Sequence, residues 1–509
     1  MNLAEKIHQT AISYGDKPAI VFEGISYSFT NIDKEVGRYA SVLKQLGIGP
    51  GIRVAFQLDK CMEFIFLHLA NLSIGGITLP LNSGYQTDEV EYFLSDSESS
   101  LFVTDSKRYH THLPMLEKIG VKVAVINNET VTGAVNLRGL LEKVSTVTEQ
   151  HNFPTGDDDV AVICYTSGTT GRSKGAMITH RNLIANMLDL KNIWQWTEND
   201  ILLHILPLFH VHGLFVALHG SLYAGSTVIM HERFEPDRTW RTMVEENCTM
   251  MMGVPTVYQR LMNEWDKLPA KPDLSSMRVF ISGSAPLSIN LFARFEKATG
   301  FRLLERYGMT ETGMNTSNTY DPTGRKPGSV GFPLPGVSLR VIDGEGKDVV
   351  PGEIGEMLLK GDNVFKGYWQ MPEKTKESFV DGWFRSGDLG YQDPDDEMRV
   401  YLSGRAKELI ISGGYNVYPK EVETVLETHA AVKECAVVGL FDEDFGEKVT
   451  AAVVLQDGFD EINPAEIITF CRSKLAVFKC PKTIHFIDEL PRNAMGKIQK
   501  NQLVERYKR

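Results

Sequence analysis

The sequence predicts an α/β protein with a large N-terminal domain of mixed sheets with flanking helices and a small α+β domain at the C-terminus. Its 509 residues exceed what one ordinary domain holds. From residue 1 to about residue 150, apolar strand-like runs alternate with stretches of helical spacing, which is typical of a parallel sheet covered by helices. Near the C-terminus, the runs VKECAVVGL, KVTAAVVL and TIHFI indicate a separate domain of about 100 residues.

The first elements can be placed from their periodicity. Two short apolar runs flank Glu23-Gly24, which predicts a β-hairpin. The next stretch has the spacing of an amphipathic helix, and two further apolar runs flank a stretch that suits a buried helix. These elements carry no evident chemistry, so they are interpreted as scaffold. The predicted strands are residues 20–22, 25–29, 54–58 and 77–81, and the predicted helices are residues 30–46 and 62–74.

Composition excludes several classes of function. A net charge of −12 argues against a nucleic-acid-binding surface. The six cysteines are scattered without a CxxC pair, so neither a zinc site nor a disulfide framework is indicated. The N-terminus has no signal or transit pattern, and no apolar run is long enough for a transmembrane helix. Reduced thiols and these absences predict a cytoplasmic protein.

The most informative stretch is residues 165–175, which reads YTSGTTGRSKG. A strand-like run precedes it, and a helix is expected to start near residues 179–182. Small residues let the backbone approach a ligand, and the hydroxyls and Lys174 suit phosphate oxygens. It is not a Walker A loop, because Gly175 follows Lys174 where that motif has Ser or Thr. On composition alone, a flexible surface loop remains the alternative.

The exact string closely resembles the phosphate loop of the adenylate-forming superfamily, which comprises acyl-CoA synthetases, peptide-synthetase adenylation domains and luciferases. Further matching segments follow in the same order: LPLFHVHG, GVPTVYQR, SGSAPL, ERYGMTET, WFRSGDLG and LPRNAMGK. The resemblance covers essentially the full length, and this combination looks most like malonyl-CoA synthetases. It implies domains at residues 1–404 and 408–509, a hinge at 405–407 and a mobile C-terminal domain.

The resemblance implies a role for each matching residue. Lys497, Thr166, His210 and Glu311 are expected to be catalytic, with Thr166 and Glu311 holding Mg²⁺, a hard cation that prefers oxygen ligands. Lys407 is the expected hinge residue. Coenzyme A is expected against Gly413, Gly414 and Tyr415. The expected ATP contacts are Thr166, Ser167, Gly168, Thr169, Thr170, Gly171, Lys174, Gly283, Ser284, Ala285, Arg306, Tyr307, Gly308, Met309, Thr310, Asp388 and Arg405.

The acyl substrate is expected to meet two arginines. The malonyl-CoA synthetase pattern implies that Arg260, Arg306 and Ser282 or Ser284 fix the distal carboxylate of a short dicarboxylate. A fatty chain would leave both arginines unpaired at high cost. The alternatives are a solvated helix face for Arg260 and a surface pair between Arg306 and Glu305.

His210 and His212 in LPLFHVHG leave three interpretations open. The resemblance places His210 at the gate of the acyl pocket. A core histidine that bonds to backbone is the plain alternative. A metal site is disfavoured, because no carboxylate ligand lies nearby in the sequence.

These matches predict an AMP-forming acid–thiol ligase that uses ATP, Mg²⁺, coenzyme A and a small carboxylate. The two-arginine argument favours malonate over a fatty acid as that carboxylate. The alternatives are a medium- or long-chain fatty-acid–CoA ligase and a nucleotide-binding regulator without catalysis. No nucleic-acid partner is expected. Lys497 is a candidate for acetylation, which would remove the charge needed for adenylation. The sequence does not indicate an oligomeric state.

Overall fold

A computed structural model describes residues 1–127, 131–144, 153–166, 173–412, 415–442, 445–459, 461–493 and 496–508. Its helices are α1 (Leu3–Tyr14), α2 (Phe29–Gln45), α3 (Met62–Ser73), α4 (Thr87–Asp96), α5 (Ser106–Ile119), α6 (Leu137–Leu141), α7 (His180–Ile193), α8 (Gly220–Ala224), α9 (Pro236–Glu245), α10 (Pro255–Lys267), α11 (Ile289–Thr299), α12 (Pro372–Glu377), α13 (Pro419–Glu427), α14 (Pro464–Arg472) and α15 (Lys500–Tyr507). A π-helical stretch, His212–His219, precedes α8.

The strands are β1 (Pro18–Phe22), β2 (Ile25–Ser28), β3 (Arg53–Phe56), β4 (Ile77–Pro80), β5 (Leu101–Thr104), β6 (Lys122–Val125), β7 (Val135–Asn136), β8 (Val160–Thr166), β9 (Lys174–Thr179), β10 (Ile201–His204), β11 (Thr227–Met230), β12 (Met250–Gly253), β13 (Val279–Ser282), β14 (Leu304–Met309), β15 (Gly313–Ser317), β16 (Phe332–Pro333), β17 (Val337–Ile342), β18 (Gly355–Gly361), β19 (Gly367–Tyr368), β20 (Phe379–Val380), β21 (Trp383–Asp393), β22 (Arg399–Arg405), β23 (Ile410–Ser412), β24 (Tyr415–Val417), β25 (Val432–Asp442), β26 (Gly446–Leu455) and β27 (Thr483–Phe486).

Two large sheets with parallel centres form the body of the N-terminal region. One has the order β16-β15-β14-β13-β12-β10-β11-β1-β2, and the other has the order β19-β9-β8-β4-β3-β5-β6-β7. Helices α2, α3 and α7 contribute side chains to one apolar core that also includes residues of both sheets. Because the centres are parallel, the carboxyl ends of β10, β12, β13 and β14 meet at one edge, where the candidate site lies.

Two smaller sheets follow. The first is antiparallel, in the order β17-β18-β21-β20 with β22 beside β21. The second, in the order β24-β23-β26-β25 with β27 beside β26, builds the C-terminal domain with α13, α14 and α15. The chain passes between them after Arg405, where β22 ends, through a 3₁₀ turn (Ala406–Glu408) to Ile410, where β23 begins.

The predicted fold class is confirmed, and the early elements lie within a residue or two of the predicted bounds. The hairpin at Glu23-Gly24 joins β1 and β2, and Glu23 takes a left-handed φ of 47° there. Thr179 caps α7 by accepting from the backbone N–H of Asn182, which explains why that helix starts at residue 180. No helix in the described part of the chain combines the length and apolar character needed to cross a membrane.

Candidate active site

The two ends of the phosphate-loop segment are held in a β-hairpin. Thr166, at the end of β8, pairs with Lys174, at the start of β9. Tyr92 of α4 donates its hydroxyl proton to the Ser173 carbonyl at 2.6 Å, and the backbone N–H of Trp369 donates to the Gly175 carbonyl at 2.7 Å. The five predicted phosphate contacts between these ends, Ser167, Gly168, Thr169, Thr170 and Gly171, lie outside the described residues and stay predictions.

Lys174 and Glu311 meet around an aromatic ring that the sequence analysis did not single out. The Lys174 ammonium lies 4.2 Å from the ring centroid of Tyr368, and the Tyr368 hydroxyl donates to Glu311 Oε1 at 3.0 Å. Burial lowers the pKa of Lys174, and the nearby Glu311 carboxylate opposes that shift. Tyr368 therefore links the phosphate-loop lysine to the predicted metal ligand. Because Tyr368 is 57 positions from Glu311 in the sequence, no local sequence pattern indicates that the two residues meet.

Glu311 lies in the tight turn between β14 and β15. The turn depends on Gly308, where a Cβ would lie 2.2 Å from the Gly313 carbonyl oxygen. The backbone N–H of Phe365 donates to the Glu311 carbonyl at 2.8 Å, and the side chain is 7% exposed. Thr310, predicted to contact the α-phosphate, is half-buried in the same turn.

The donor set at this turn fits Mg²⁺. Glu311 and Thr166 offer hard oxygen ligands, and the described residues contain no cluster of three or more His, Cys, Asp or Glu side chains that would make a complete protein cage. Mg²⁺ is commonly held by one or two carboxylates together with substrate phosphates and water. A single carboxylate beside the phosphate loop is therefore the arrangement expected for a magnesium–nucleotide complex.

Asp388 is buried, and both of its carboxylate oxygens have partners. The Tyr307 hydroxyl donates to Asp388 Oδ2 at 2.5 Å, and Arg405 Nε lies 2.5 Å from Oδ1. Burial raises the pKa of Asp388, while Arg405 and Tyr307 oppose the shift. Asp388 is thus held in place as an acceptor-only group, and its predicted contact with the ribose hydroxyls stays a prediction. Adenine stacking on Tyr307 stays a prediction.

Lys497 reaches the same place from the C-terminal domain. Its loop is held by the Lys497 backbone N–H, which donates to Asn493 Oδ1 at 3.0 Å, and by the Asn493 N–H, which donates to the Lys497 carbonyl at 2.9 Å. Burial and Arg405 lower the pKa of Lys497, while Asp388 and Glu408 act in the opposite direction. The charges of Asp388 and Arg405 therefore act on the Lys497 ammonium, although much of its side chain remains exposed.

The hinge and coenzyme A predictions are only partly covered by the described residues. Lys407 is exposed in the 3₁₀ turn after β22, close enough to Lys174 for its charge to lower that lysine's pKa. Gly413 and Gly414 lie outside the described residues. Tyr415 is 59% exposed, and its ring stacks on Phe478 with centroids 4.7 Å apart.

Arg306 occupies a buried pocket without a polar partner. It is 2% exposed, and Nε, Nη1 and Nη2 are all buried without a hydrogen bond to any described residue. Burial lowers the pKa of Arg306 to about 9, so it is charged at neutral pH. A buried guanidinium without an anion is costly, which indicates that a ligand supplies the anion. The alternative of a surface pair between Arg306 and Glu305 is wrong, because both side chains are buried and Arg306 has no partner.

His212 and the Gly283–Ser284 turn beside this guanidinium also point to an anion. His212 Nε2 is buried and, within the described chain, has no hydrogen-bond partner. Ser282 is the register partner of Glu305, so its side chain lies on the face of the sheet opposite Arg306, and its expected contact with the distal carboxylate finds no support in this geometry. Gly283 packs directly on Arg306, since a Cβ there would lie 2.5 Å from Cζ. Ser284 has a left-handed φ of 68°, a strained conformation for a residue with a side chain, and its Oγ lies 3.3 Å from His212 Nδ1. Ala285 follows it, half-buried.

His210 completes the pocket as a neutral donor. Its Nδ1 accepts a hydrogen bond from the His212 backbone N–H at 3.2 Å, so the proton of the neutral ring belongs on Nε2. Burial and the neighbouring Arg306 lower the pKa of His210 to about 4. His212, which the sequence analysis left without a role, is fully buried beside it.

Arg260 does not lie in the buried pocket. It is exposed on α10, where the structure gives it no hydrogen bond or ion pair with any described residue. Thr256, one helical turn earlier, faces the loop that carries Lys497, since a Cβ on Gly496 would lie 2.6 Å from Thr256 Oγ1. Arg260 shares that face of α10. Its predicted contact with substrate stays a prediction.

Comparison with protein families finds a match for the N-terminal region and another for the C-terminal domain. Residues 7–369 match the model of the AMP-binding enzyme family, and residues 421–497 match that of the AMP-binding enzyme C-terminal domain. Among solved structures, ATP-bound MatB from Rhodopseudomonas palustris superimposes with a TM-score of 0.92 at 43% identity, covering 100% of this chain and 99% of that one.

Two curated relatives illustrate the range of substrates. A mitochondrial malonate–CoA ligase of Mus musculus is 35% identical, over 97% of this chain and 89% of the relative. A long-chain-fatty-acid–CoA ligase of Bacillus subtilis is 34% identical, over 97% of this chain and 93% of the relative. Since the two identities are nearly equal, overall similarity does not discriminate between these acids, and the acyl pocket has to be considered on its own.

Proposed function

Because this chain belongs to the AMP-binding enzyme family, we propose that it is an ATP-dependent CoA ligase for a short dicarboxylate, with malonate as the first candidate. A carboxylate attacks the α-phosphorus of ATP, which gives an acyl-adenylate and releases pyrophosphate. The thiolate of coenzyme A then attacks the acyl carbon, the acyl–oxygen bond breaks, and AMP leaves. Such chemistry depends on positioning anions and stabilising charge, which the residues of the site suit.

The observation that carries the dicarboxylate is the unpartnered Arg306 guanidinium. One carboxylate of the substrate must face the nucleotide, so a second one is the natural anion for a buried cation at the acyl end. His212 Nε2 is a further buried group there without a partner among the described residues. A monocarboxylate with an apolar tail would leave both groups desolvated and unpaired.

We assign the remaining roles from position and charge. Lys174 and Lys497 neutralise phosphate oxygens, Glu311 with Thr166 holds Mg²⁺, and Asp388 accepts from the ribose hydroxyls. Mg²⁺, when bound, supplies charge neutralisation at the transferring phosphate. His210 donates through Nε2 to the reacting carboxylate.

The thioester step requires the coenzyme A thiol to reach the adenylate that Lys497 faces. We propose that the C-terminal domain turns about residues 405–407, so that Lys497 withdraws and residues 413–415 approach. Acetylation of Lys497 would remove the positive charge and block the first step only. A cytoplasmic location is proposed from the sequence alone. One of the curated relatives, by contrast, is mitochondrial.

A panel of acids tests the proposal. Coenzyme-A-dependent AMP release is measured with malonate, methylmalonate, succinate, acetate, octanoate and palmitate at equal concentrations. The proposal predicts that malonate or a close dicarboxylate leads by kcat/KM. Octanoate or palmitate in the lead would replace it with the fatty-acid–CoA ligase alternative. ATP–pyrophosphate exchange that is absent with every acid would instead indicate a nucleotide-binding protein without this activity.

A further inference from the structure

Lys60 and His204 form a polar contact that the reaction as described does not use. Lys60 lies between β3 and α3, and His204 ends β10 in the other large sheet. The Lys60 amine donates to His204 Nδ1 at 2.7 Å and to the His204 carbonyl at 2.9 Å. His204 is 1% exposed, and its Nε2 lies 2.8 Å from the Gly213 carbonyl oxygen.

These contacts determine the tautomer of His204. The Gly213 carbonyl only accepts, so the ring must carry its proton on Nε2. Nδ1 then holds a lone pair, and Lys60 supplies the matching N–H whether its amine is charged or neutral. Burial and the nearby Lys60 amine hold the pKa of His204 well below its ordinary value. The imidazole is therefore a neutral ring in one orientation, fixed at both nitrogens.

The Gly213 carbonyl is next to the acyl pocket. Gly213 is the residue after His212, and the His212 backbone N–H is itself bonded to His210. A Cβ on Gly213 would lie 2.0 Å from the Pro207 carbonyl oxygen, so the backbone is tightly packed here. The segment from His204 to Gly213 is thus closed into a loop by the His204 ring, and the loop carries both pocket histidines.

We infer that Lys60 is a positioning residue for the dicarboxylate pocket, acting through His204 and the Gly213 carbonyl to hold His210 and His212 against Arg306. The inference rests on the proposed function, since it concerns the pocket assigned there to the distal carboxylate. Its consequence is selective: loss of the contact disturbs the acyl end and leaves the nucleotide end unchanged.

Lys60→Met tests this inference, because methionine keeps the apolar stem and removes the donor. We expect the KM for malonate to rise about tenfold, since a small misplacement of positioning groups is costly, while the KM for ATP stays within about twofold. Lys17→Met is the matched control. Lys17 is also partly buried and its amine donates to two backbone carbonyls, of Glu198 and of Gly225 at 2.5 Å, but none of these lies in the histidine segment.

A second pair of variants tests the relay at its centre and does not depend on Lys60→Met folding. His204→Gln offers an acceptor for Lys60 and a donor for the Gly213 carbonyl, whereas His204→Leu offers neither. We expect His204→Gln to hold the malonate KM within about threefold of wild type and His204→Leu to raise it about tenfold.

Two results would overturn the inference. One is a malonate KM in Lys60→Met equal to that of Lys17→Met, and the other is an equal rise in the malonate and ATP constants, which would indicate a general structural role. If wild type turns over no dicarboxylate, the proposed function fails instead. The variants are then compared on whichever acid wild type prefers, and an acyl-selective loss still supports Lys60.

Discussion

The two ends of the site differ in how their buried charges are satisfied. At the nucleotide end, both Asp388 oxygens are bonded, to Tyr307 and Arg405. At the acyl end, the Arg306 guanidinium and His212 Nε2 have no partner in the described part of the protein. A group that is paired within the protein is positioned before the ligand arrives, whereas a buried cation without an anion is costly until the ligand supplies one.

This difference implies different ligand chemistry at each end. The Asp388 carboxylate can accept from neutral hydroxyls without losing its charge partner. Arg306 requires a negative charge, because only an anion offsets the cost of burying the guanidinium. The nucleotide end therefore fits a neutral diol, and the acyl end fits a second carboxylate, which distinguishes short diacids from fatty acids.

Replacing Lys497 is expected to have the largest effect. Lys497→Ala removes the cation that we assign to the phosphate oxygens, and we expect adenylation to fall by about 10²- to 10³-fold, as for other groups that stabilise charge in the transition state. ATP–pyrophosphate exchange measures this step. The thioester step, started from preformed malonyl-adenylate and coenzyme A, should stay within about fivefold of wild type. An equal loss in both steps would contradict the assignment of Lys497 to the first step alone.

Asp388→Asn is expected to come next. The amide keeps the shape but loses the charge that pairs with Arg405, whose half-buried guanidinium then has only the more distant Glu311 and Glu408 carboxylates nearby. We expect kcat/KM for ATP to fall by about 10- to 100-fold. The KM for malonate at saturating ATP should barely change, because the acyl end is untouched. A larger change in the kinetic constants for malonate than in those for ATP would contradict the assignment of Asp388 to the nucleotide end alone.

Arg260→Met should be milder than Arg306→Met. Arg260 is exposed, so water already solvates its charge, and an exposed ion pair is worth about 1 kcal/mol or less. We expect the malonate KM to rise by no more than about fivefold, measured beside Arg306→Met in one assay. An effect equal to that of Arg306→Met would mean that Arg260 turns inward when substrate binds.

The smallest expected effect concerns Glu305, on the opposite face of β14 from Arg306. Burial raises the pKa of Glu305 to about 7 from an ordinary 4.5. Between these values the unfolded chain has released a proton that the folded chain retains, so this carboxyl makes folding less favourable as pH rises toward about 7. Glu305→Gln keeps the acceptor for the Leu287 N–H and never ionises.

We therefore expect Glu305→Gln to raise Tm by about 2 °C at a pH of about 8 and to leave it unchanged near pH 4.5. Thermal melting at both pH values measures this, with malonate turnover as the control for an intact pocket. A Tm that is higher by the same amount at both pH values would show that ionisation of Glu305 is not the cause.

Much of this architecture was predictable from the sequence. Alternating periodicity predicted the parallel sheets, and the glycine-flanked hairpin of β1 and β2 followed from its turn residues. The nucleotide motifs were recognised because each is a local string that resembles a segment of the adenylate-forming superfamily, as in ERYGMTET, which includes the turn between β14 and β15 that carries Glu311. The conformation of a single turn depends on a few adjacent residues, so a short stretch of sequence is enough to predict it.

The rest depends on distant contacts. Tyr368 reaches Glu311 across 57 positions, and Lys60 reaches His204 across 144, so neither pair leaves a periodic signal. The sequence also left open whether Glu305 and Arg306 pair. Successive side chains of a strand point to opposite faces, so in β14 these neighbours cannot face each other. The strand assignment alone would have excluded the pair.

The most direct test of the account is a cycle that combines Arg306→Met with removal of the second carboxylate from the substrate. The values of kcat/KM are measured for malonate and propionate with wild type and with Arg306→Met. If Arg306 binds the distal carboxylate, the variant loses at least about 30-fold with malonate and changes little with propionate, a coupling of about 2 kcal/mol. Equal losses with both acids would contradict the account, because Arg306 would then support the pocket without recognising its ligand.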